Sequence, residues 1–376
     1  MKYILWLLRI IVGALFIFSG LIKANDPQGL SYKMNEFFEV WGMHGLMEYS
    51  LALSVLMIGF EIIAGIALLL GAAFRAFSFL LLLLNVFFTF LTAYVYLTDK
   101  IKECGCFGDC IKISNAETFW KDVILLALVI ILFVFRKRIK PVFNGKATFV
   151  LMTLAVLFAF GSQWKTLNYL PVFDCLSYKV GTHIWTKMQA PPGSTPDVYK
   201  TVMIYAKDGK QQEFDETNYP WQDTTWVFVD SKSILVKKGN AEPAIKDFVL
   251  SDYSGNDLTE SILKEPGYTF FLFIRDVKKA STENIERLQT LVSKANQLNV
   301  PFYILSSSSK SDADAFAAAH KLQGAQWMII DVTVSKTAMR SNPGLMMLKD
   351  GVIQNKWSPK TYPKDMAMNG AVLNLQ

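Results

Sequence analysis

From residue 176 to residue 376 the chain contains no cysteine, and it has only four in all, together with three histidines. The second half of the chain therefore cannot perform thiol exchange by itself, and no spacing turns the histidines into a ligand set. No A-x-A-like cleavage site follows the first apolar run at Lys23 to Pro27, so that run stays attached as a helix and is not removed as a signal peptide. No inverted repeat or interrupted apolar segment marks the midplane site of a transporter. No acidic residue accompanies Arg136, Lys137, Arg138, Lys140 and Lys146, and this one loop holds much of the formal charge of +6. The surplus reads as membrane topology, with no nucleic acid implied.

What is present is apolar: 52% of the residues are hydrophobic and 14% aromatic, and the excess lies in the first 165 positions. Five segments are long enough to cross a bilayer, residues 3–21, 51–71, 77–97, 119–135 and 147–161, the last being the shortest. The positive-inside rule puts the Arg136–Lys146 loop, Arg75 and Lys2 in the cytoplasm. Asp26, Glu36, Glu39 and Glu48, the loop at 99–117 and residues 165–376 then lie outside, which in a bacterium means a multi-pass inner-membrane protein with a cytoplasmic N-terminus and a periplasmic C-terminal domain. Residues 30–47 set Phe37, Phe38, Val40 and Trp41 among charges. They predict either a helix in the interface or a re-entrant loop covering the bundle.

Arg9, Glu61 and Asn85 fall within the spans, each about 9 to 16 Å from the cytoplasmic boundary when rise per residue is counted. An isolated charge at that depth is costly, so the expectation is an Arg9–Glu61 pair supported by Asn85. It serves either as a polar clamp between helices or as a proton or quinone-headgroup site.

Cys104, Cys106, Cys110 and Cys175 all fall on the outer side, where thiols tend towards disulfides. The glycines in Glu103-Cys-Gly-Cys-Phe-Gly-Asp-Cys110 allow tight turns, but four cysteines permit three pairings and the spacing leaves the connectivity open. Structural disulfides tying the loop to Cys175, an exchangeable redox pair at the membrane surface, and a soft metal site completed by His44 or His183 all remain readings of this string.

The Cys104-Gly-Cys-Phe-Gly108 string, set between a third and a fourth transmembrane helix, resembles the signature of the MauE branch of the DoxX superfamily. The opening Arg9-Ile-Ile-Val-Gly13 through Phe18-Ser-Gly-Leu-Ile-Lys23 is similar to DoxX first helices, and Glu61 stands where their second helix has an acid. The resemblance covers roughly residues 1–140 and implies a four-helix bundle similar in outline to the quinone-linked disulfide enzymes DsbB and VKOR. This chain departs from those in having C-x-C and a third cysteine where they have C-x-x-C. MauE is associated with maturation of a disulfide-rich periplasmic enzyme.

Beyond the bundle, residues 200–206 and 225–229 read as strands, and Asp208-Gly209 is a hairpin signal. From about residue 247 strands and helices alternate: strand 268–274, helix 282–298, strand 301–305, helix 312–322, strand 327–331. Ser341-Asn-Pro-Gly-Leu-Met-Met-Leu-Lys-Asp-Gly351 is similar to the thioredoxin turn in which a cis-proline, here Pro343, precedes an antiparallel hairpin. The thioredoxin redox motif would follow Arg275, where the text is Asp276-Val-Lys-Lys-Ala-Ser281, without cysteine. Four sections result: residues 1–140, a DoxX/MauE-like membrane domain; 141–175, a fifth transmembrane helix and exit segment; 176–245, a small β-rich extension; and 246–376, a thioredoxin-like domain lacking redox cysteines. The whole resembles DoxX-type proteins of the Bacteroidota. Two functions follow as expectations. One is a membrane component of periplasmic thiol/disulfide or respiratory redox, with a quinone as the implied carrier and the tail holding a client. The other is a non-catalytic scaffold for an envelope partner.

Overall fold

The computed structural model describes all residues except 1, 102–104, 106, 107, 112 and 323. The N-terminal part is helical: α1 (Lys2–Asn25), α2 (Pro27–Val40), a 3-10 turn (His44–Tyr49), α3 (Ser50–Leu70), α4 (Phe74–Thr98), α5 (Asn115–Val134) and α6 (Gly145–Tyr169). Among the described residues, four helical stretches are long and apolar enough to cross a membrane: Tyr3–Asn25, His44–Leu70, Phe74–Thr98 and Gly145–Tyr169. The chain is a membrane protein. The fifth expected span, α5, has 20 residues but carries Glu117, Lys121 and Asp122 in its first two turns, so composition alone does not qualify it. Its packing does carry it along the bundle, against α4 and α1. The segment expected to be the shortest is a full 25-residue helix, because Ser162, Gln163 and Thr166 satisfy backbone carbonyls within it or on α1 and α3.

Helices α1 and α3 touch through glycine. A Cβ on Gly13 would lie 2.8 Å from the Leu69 side chain, one on Gly65 would lie 2.8 Å from the Gly13 carbonyl, and one on Gly20 would meet Ile62 at 2.6 Å. Small residues let helix backbones approach where lipid offers no hydrophobic drive. The residues expected to lie in the interface form α2, whose Asp26 carboxylate accepts from the Gly29 N–H at its start. It packs on α3, and Trp41 just beyond it sits tilted or edge-on among Phe37, Phe90 and Tyr94, so α2 lies across the end of the bundle away from the Arg136–Arg138 turn.

After α6 the chain enters an α/β domain. A short helix α7 (Ile184–Lys187) is followed by a three-stranded antiparallel sheet, β1 (Val198–Lys207), β2 (Lys210–Asp215) and β3 (Val227–Lys237), in order β2-β1-β3. Its hairpin turns at Asp208 and Gly209, both with positive φ. Then come α8 (Thr259–Leu263), β4 (Tyr268–Ile274), α9 (Ile285–Gln297), β5 (Phe302–Ser306), α10 (Lys310–Ala319), β6 (Gln326–Ile329), α11 (Val332–Ala338), β7 (Gly344–Lys349) and β8 (Val352–Trp357). A last hairpin, β9 (Met366–Asn369) with β10 (Val372–Leu375), closes the chain.

The five-stranded sheet runs β6-β5-β4-β7-β8, with β4, β5 and β6 parallel and β7 and β8 antiparallel, a thioredoxin-like order. Strand β4 reads Tyr-Thr-Phe-Phe-Leu-Phe-Ile because both its faces are covered. Phe271 and Phe273 pack against Ile184, Phe248 and Ile262, whereas Phe270, Leu272 and Ile274 pack against Leu288 and Leu291 of α9. Residues 178–188 also join this core: Tyr178 and Ile184 are buried in it, and His183 bridges Val352.

Candidate functional site

The polar groups inside the bundle are arranged differently from the expectation. Arg9 does not meet Glu61. Its guanidinium donates to the Leu68 and Leu69 carbonyls and to the Lys140 carbonyl, so it caps the C-terminal carbonyls of α3 at the basic end of the bundle. Glu61, fully buried, lies seven residues earlier on α3, about 10 Å along the axis. Its partner is Lys23: Nζ sits 2.6 Å from Glu61 Oε1, and the Ser19 hydroxyl donates to Oε2 at 3.1 Å. The expectation failed because α1 continues to Asn25, which brings Lys23 into the bundle. Asn85 bonds to neither. It is buried on α4, accepts from the Thr89 hydroxyl, and its Nδ2 has no partner.

Lys23 separates two clefts. Its ammonium lies 5.0 Å over the Phe88 ring, and both residues line each cleft. One, of about 460 Å³, lies against Leu15, Ser19, Trp120 and Asp122. The other, of about 490 Å³, is almost wholly apolar, walled by Phe37, Trp41, Phe60, Phe87 and Leu91, with Lys33 and Gly105 also on its lining. A Cβ on Gly105 would meet Lys33 Cγ at 3.0 Å. Gly105 of the cysteine loop therefore lines the second cleft.

Cys104 and Cys106, which flank Gly105, lie outside the described residues. Cys110 and Cys175 form a disulfide across 65 residues, tying the α4–α5 loop to the exit of α6. Each of these cysteines follows an aspartate. Asp109 accepts from Arg340 Nη2 at 2.7 Å, and Asp174 accepts from Lys356 Nζ at 2.7 Å. Arg340 also gives Nε to Asp26 at 2.7 Å and its third nitrogen to the Lys336 carbonyl. Burial opposes the Arg340 charge, but Asp26 and Asp109 outweigh it and hold the guanidinium above its usual range. For Lys356 burial wins, and its ammonium is held below the usual lysine range despite Asp174. Asn25 exchanges two hydrogen bonds with the Phe173 backbone, and Ser358 donates to the Asn168 carbonyl. The disulfide thus sits in the seam where the tail meets the bundle.

On the tail side of the seam the Asn342–Pro343 peptide is cis. The segment following β4 approaches it: the Ser281 N–H donates to the Asn342 carbonyl at 2.9 Å, and Asn342 Nδ2 donates to the Asp276 carbonyl at 3.0 Å. Serine and backbone thus occupy a place where a thioredoxin would hold cysteine. His183 is a helix cap whose Nδ1 accepts from the Thr186 N–H, and His44 opens the 3-10 turn before α3. Sequence reasoning missed Lys23, Asp26, Asp109, Asp174, Arg340 and Lys356. The repeated Asp-Cys doublet at 109–110 and 174–175 was the one signal available for this seam.

No curated protein matches the chain. The crystal structure of reduced Prx3 in complex with H2O2 from Vibrio vulnificus is similar at 16% identity, over 32% of this chain and 89% of that one, with a TM-score of 0.26. Residues 199–238, the three-stranded sheet, match a domain of unknown function, DUF8463. Residues 1–135, which include the Lys23–Glu61 pair, both clefts and the cysteine loop, match the family model of methylamine utilisation protein MauE.

Proposed function

We propose that the protein is a membrane component of thiol/disulfide redox outside the cytoplasm, with the cysteine loop as its reactive part and the tail as its client-facing part. The observation that carries this reading is the position of Gly105, which stands between Cys104 and Cys106 in the sequence: it lines an apolar cleft that Lys23 also lines, and five residues on the chain enters the Cys110–Cys175 disulfide. On this reading α5 is a fifth crossing beside the four apolar stretches, and the loop, the seam and the tail lie on the side opposite the Arg136–Lys146 loop, in a bacterium the periplasmic side of the inner membrane. The α5 helix, starting at the cysteine loop and ending at Arg136, supports that count.

Phe37, Trp41 and Phe88 would hold a flat apolar carrier of the quinone class in this cleft, beside Lys23. Such a carrier would supply an acceptor for the two electrons and two protons that a dithiol gives up on becoming a disulfide. Cys104 and Cys106 are the exchanging pair, and the tethered Cys110–Cys175 disulfide passes the oxidising equivalent by thiol exchange. Lys23 and Glu61 hold a proton at the cleft's inner end. A second reading, a scaffold for an envelope partner, is favoured by one observation: the tail has no thiol and is fastened to the bundle by ion pairs.

Cysteine mapping by mass spectrometry in native membranes, before and after gentle reduction, separates the two. The redox reading expects cysteine pairs that open at mild potential and a Cys106→Ser variant that changes the redox state of other envelope proteins. Disulfides unreactive to alkylation until the protein is denatured would leave only the scaffold.

A further inference from the structure

A third cleft, of about 650 Å³, opens in the seam away from the cysteine loop, between α2, the ends of α3 and α6, and the tail. Tyr32 of α2 stands in it with three cations around its ring: Lys336 Nζ at 5.0 Å, Arg340 at 5.4 Å and Arg275 at 5.8 Å from the centroid. Arg275 also donates to the Tyr32 hydroxyl at 2.6 Å. Only Arg340 of the three has carboxylates in contact. Among the described residues neither Arg275 nor Lys336 makes an ion pair, and Lys279 on the same lining makes none either. Burial and the neighbouring Arg275 hold the Lys336 ammonium below the usual lysine range, against the weaker pull of Asp331, Glu39 and Glu36. The lining also carries Asp276 and Glu283, the latter paired with Lys360 at 3.7 Å, but neither carboxylate is in ion-pair contact with Arg275, Lys279 or Lys336. Those three cations repel one another in a half-buried cleft, and an anion between them removes that cost.

A second observation is independent of charge. Three residues on this lining each carry a polar atom that is buried and, among the described residues, has no hydrogen-bond partner: Asn35 Oδ1, Asn342 Oδ1 and Ser341 Oγ. The two amide oxygens are acceptors only, so what they lack is a donor. A molecule that satisfies both sets of groups carries a negative charge and hydroxyl or ammonium hydrogens together. Leu51, near the start of α3, and Leu167, near the end of α6, complete the lining with apolar surface.

We propose that this cleft is a binding site for a phosphate ester bearing hydrogen-bond donors, with Arg275, Lys336 and Lys279 on the phosphate and Asn35 and Asn342 on the donors. Phosphate oxygens suit the site because a planar guanidinium and two ammonium groups can each take one. The source is either the headgroup of a phospholipid at the membrane surface or a soluble phosphate. The proposal does not rest on the redox reading, since none of these residues touches the cysteine loop except through Arg340.

The test uses the full chain, purified in neutral detergent and stripped of lipid. Phosphatidylglycerol, diacylglycerol as its phosphate-free counterpart, and sodium phosphate are added separately, and binding is read by native mass spectrometry and by the shift in thermal unfolding. Phosphatidylglycerol or phosphate should stabilise the wild type while diacylglycerol does not, and Lys336→Gln combined with Lys279→Gln should weaken binding about tenfold. A response to phosphatidylglycerol alone assigns the lipid source, and a response to phosphate alone the soluble one. Each variant is compared with its own probe-free baseline, so a folding defect is not mistaken for lost binding. Equal responses in wild type and double variant, or no response to either phosphate-bearing probe, would overturn the proposal.

Discussion

Lys23 and Glu61 meet buried inside the helical bundle, whereas Arg340, Asp26 and Asp109 meet where bundle and tail touch, beside a cleft of the seam. The first pair is one cation against one anion on adjacent helices, 38 residues apart. The second draws together the end of α1, the cysteine loop and the end of α11, across 314 and 231 residues. A pair within the bundle is held by helices that already pack through glycine, while the seam is joined by the Arg340–Asp26, Arg340–Asp109 and Lys356–Asp174 ion pairs. Buried charge in the bundle therefore reports on the membrane domain, and buried charge in the seam reports on how the two halves sit together.

The largest expected effect is in the bundle. Glu61→Ala strands a buried ammonium and should lower unfolding stability by about 3–5 kcal/mol, whereas replacing both partners, Lys23→Met with Glu61→Leu, should recover most of that loss. Chemical denaturation in detergent checks it, and a near-neutral Glu61→Ala would mean the pair is wet and the contrast with the seam is lost. Next, Cys110→Ser with Cys175→Ser should cost about 2–4 kcal/mol and speed proteolysis between bundle and tail, since the bond closes a 65-residue loop. Arg340→Lys keeps the charge but loses the fork, and should cost about 1.5–3 kcal/mol, read as faster hydrogen exchange in α11 and in the Asp109 loop while α1 and α3 stay protected. The smallest effect belongs to the three-stranded sheet. Phe228→Ala on the exposed strand β3 should change stability by no more than about 0.5 kcal/mol in either half.

Elements whose patterns are local were legible in the sequence. Tyr268–Ile274 is an apolar run flanked by Gly267 and Asp276, and it is a strand over those residues. The Asp208-Gly209 turn requires positive φ at two successive positions and was readable for that reason. The membrane helices were found, but their ends were not, because hydropathy falls at Lys23 while the backbone hydrogen bonds continue to Asn25. That error of four residues misplaced the buried pair. Counting rise gives depth along a helix and says nothing of which way a side chain faces, so Arg9 and Glu61 seemed level when one turns to the α3 carbonyls and the other to α1. The seam was illegible for a different reason. No local pattern links Arg340 to Asp26 or Lys356 to Asp174, since such contacts exist only once both halves have folded.

Arg340 spends its three nitrogens on three segments of the chain, the end of α1, the cysteine loop and its own helix α11. Asp26 and Asp109 therefore share a cation that translation supplies 231 positions after Asp109, so the membrane half is made before the residue that joins these two carboxylates.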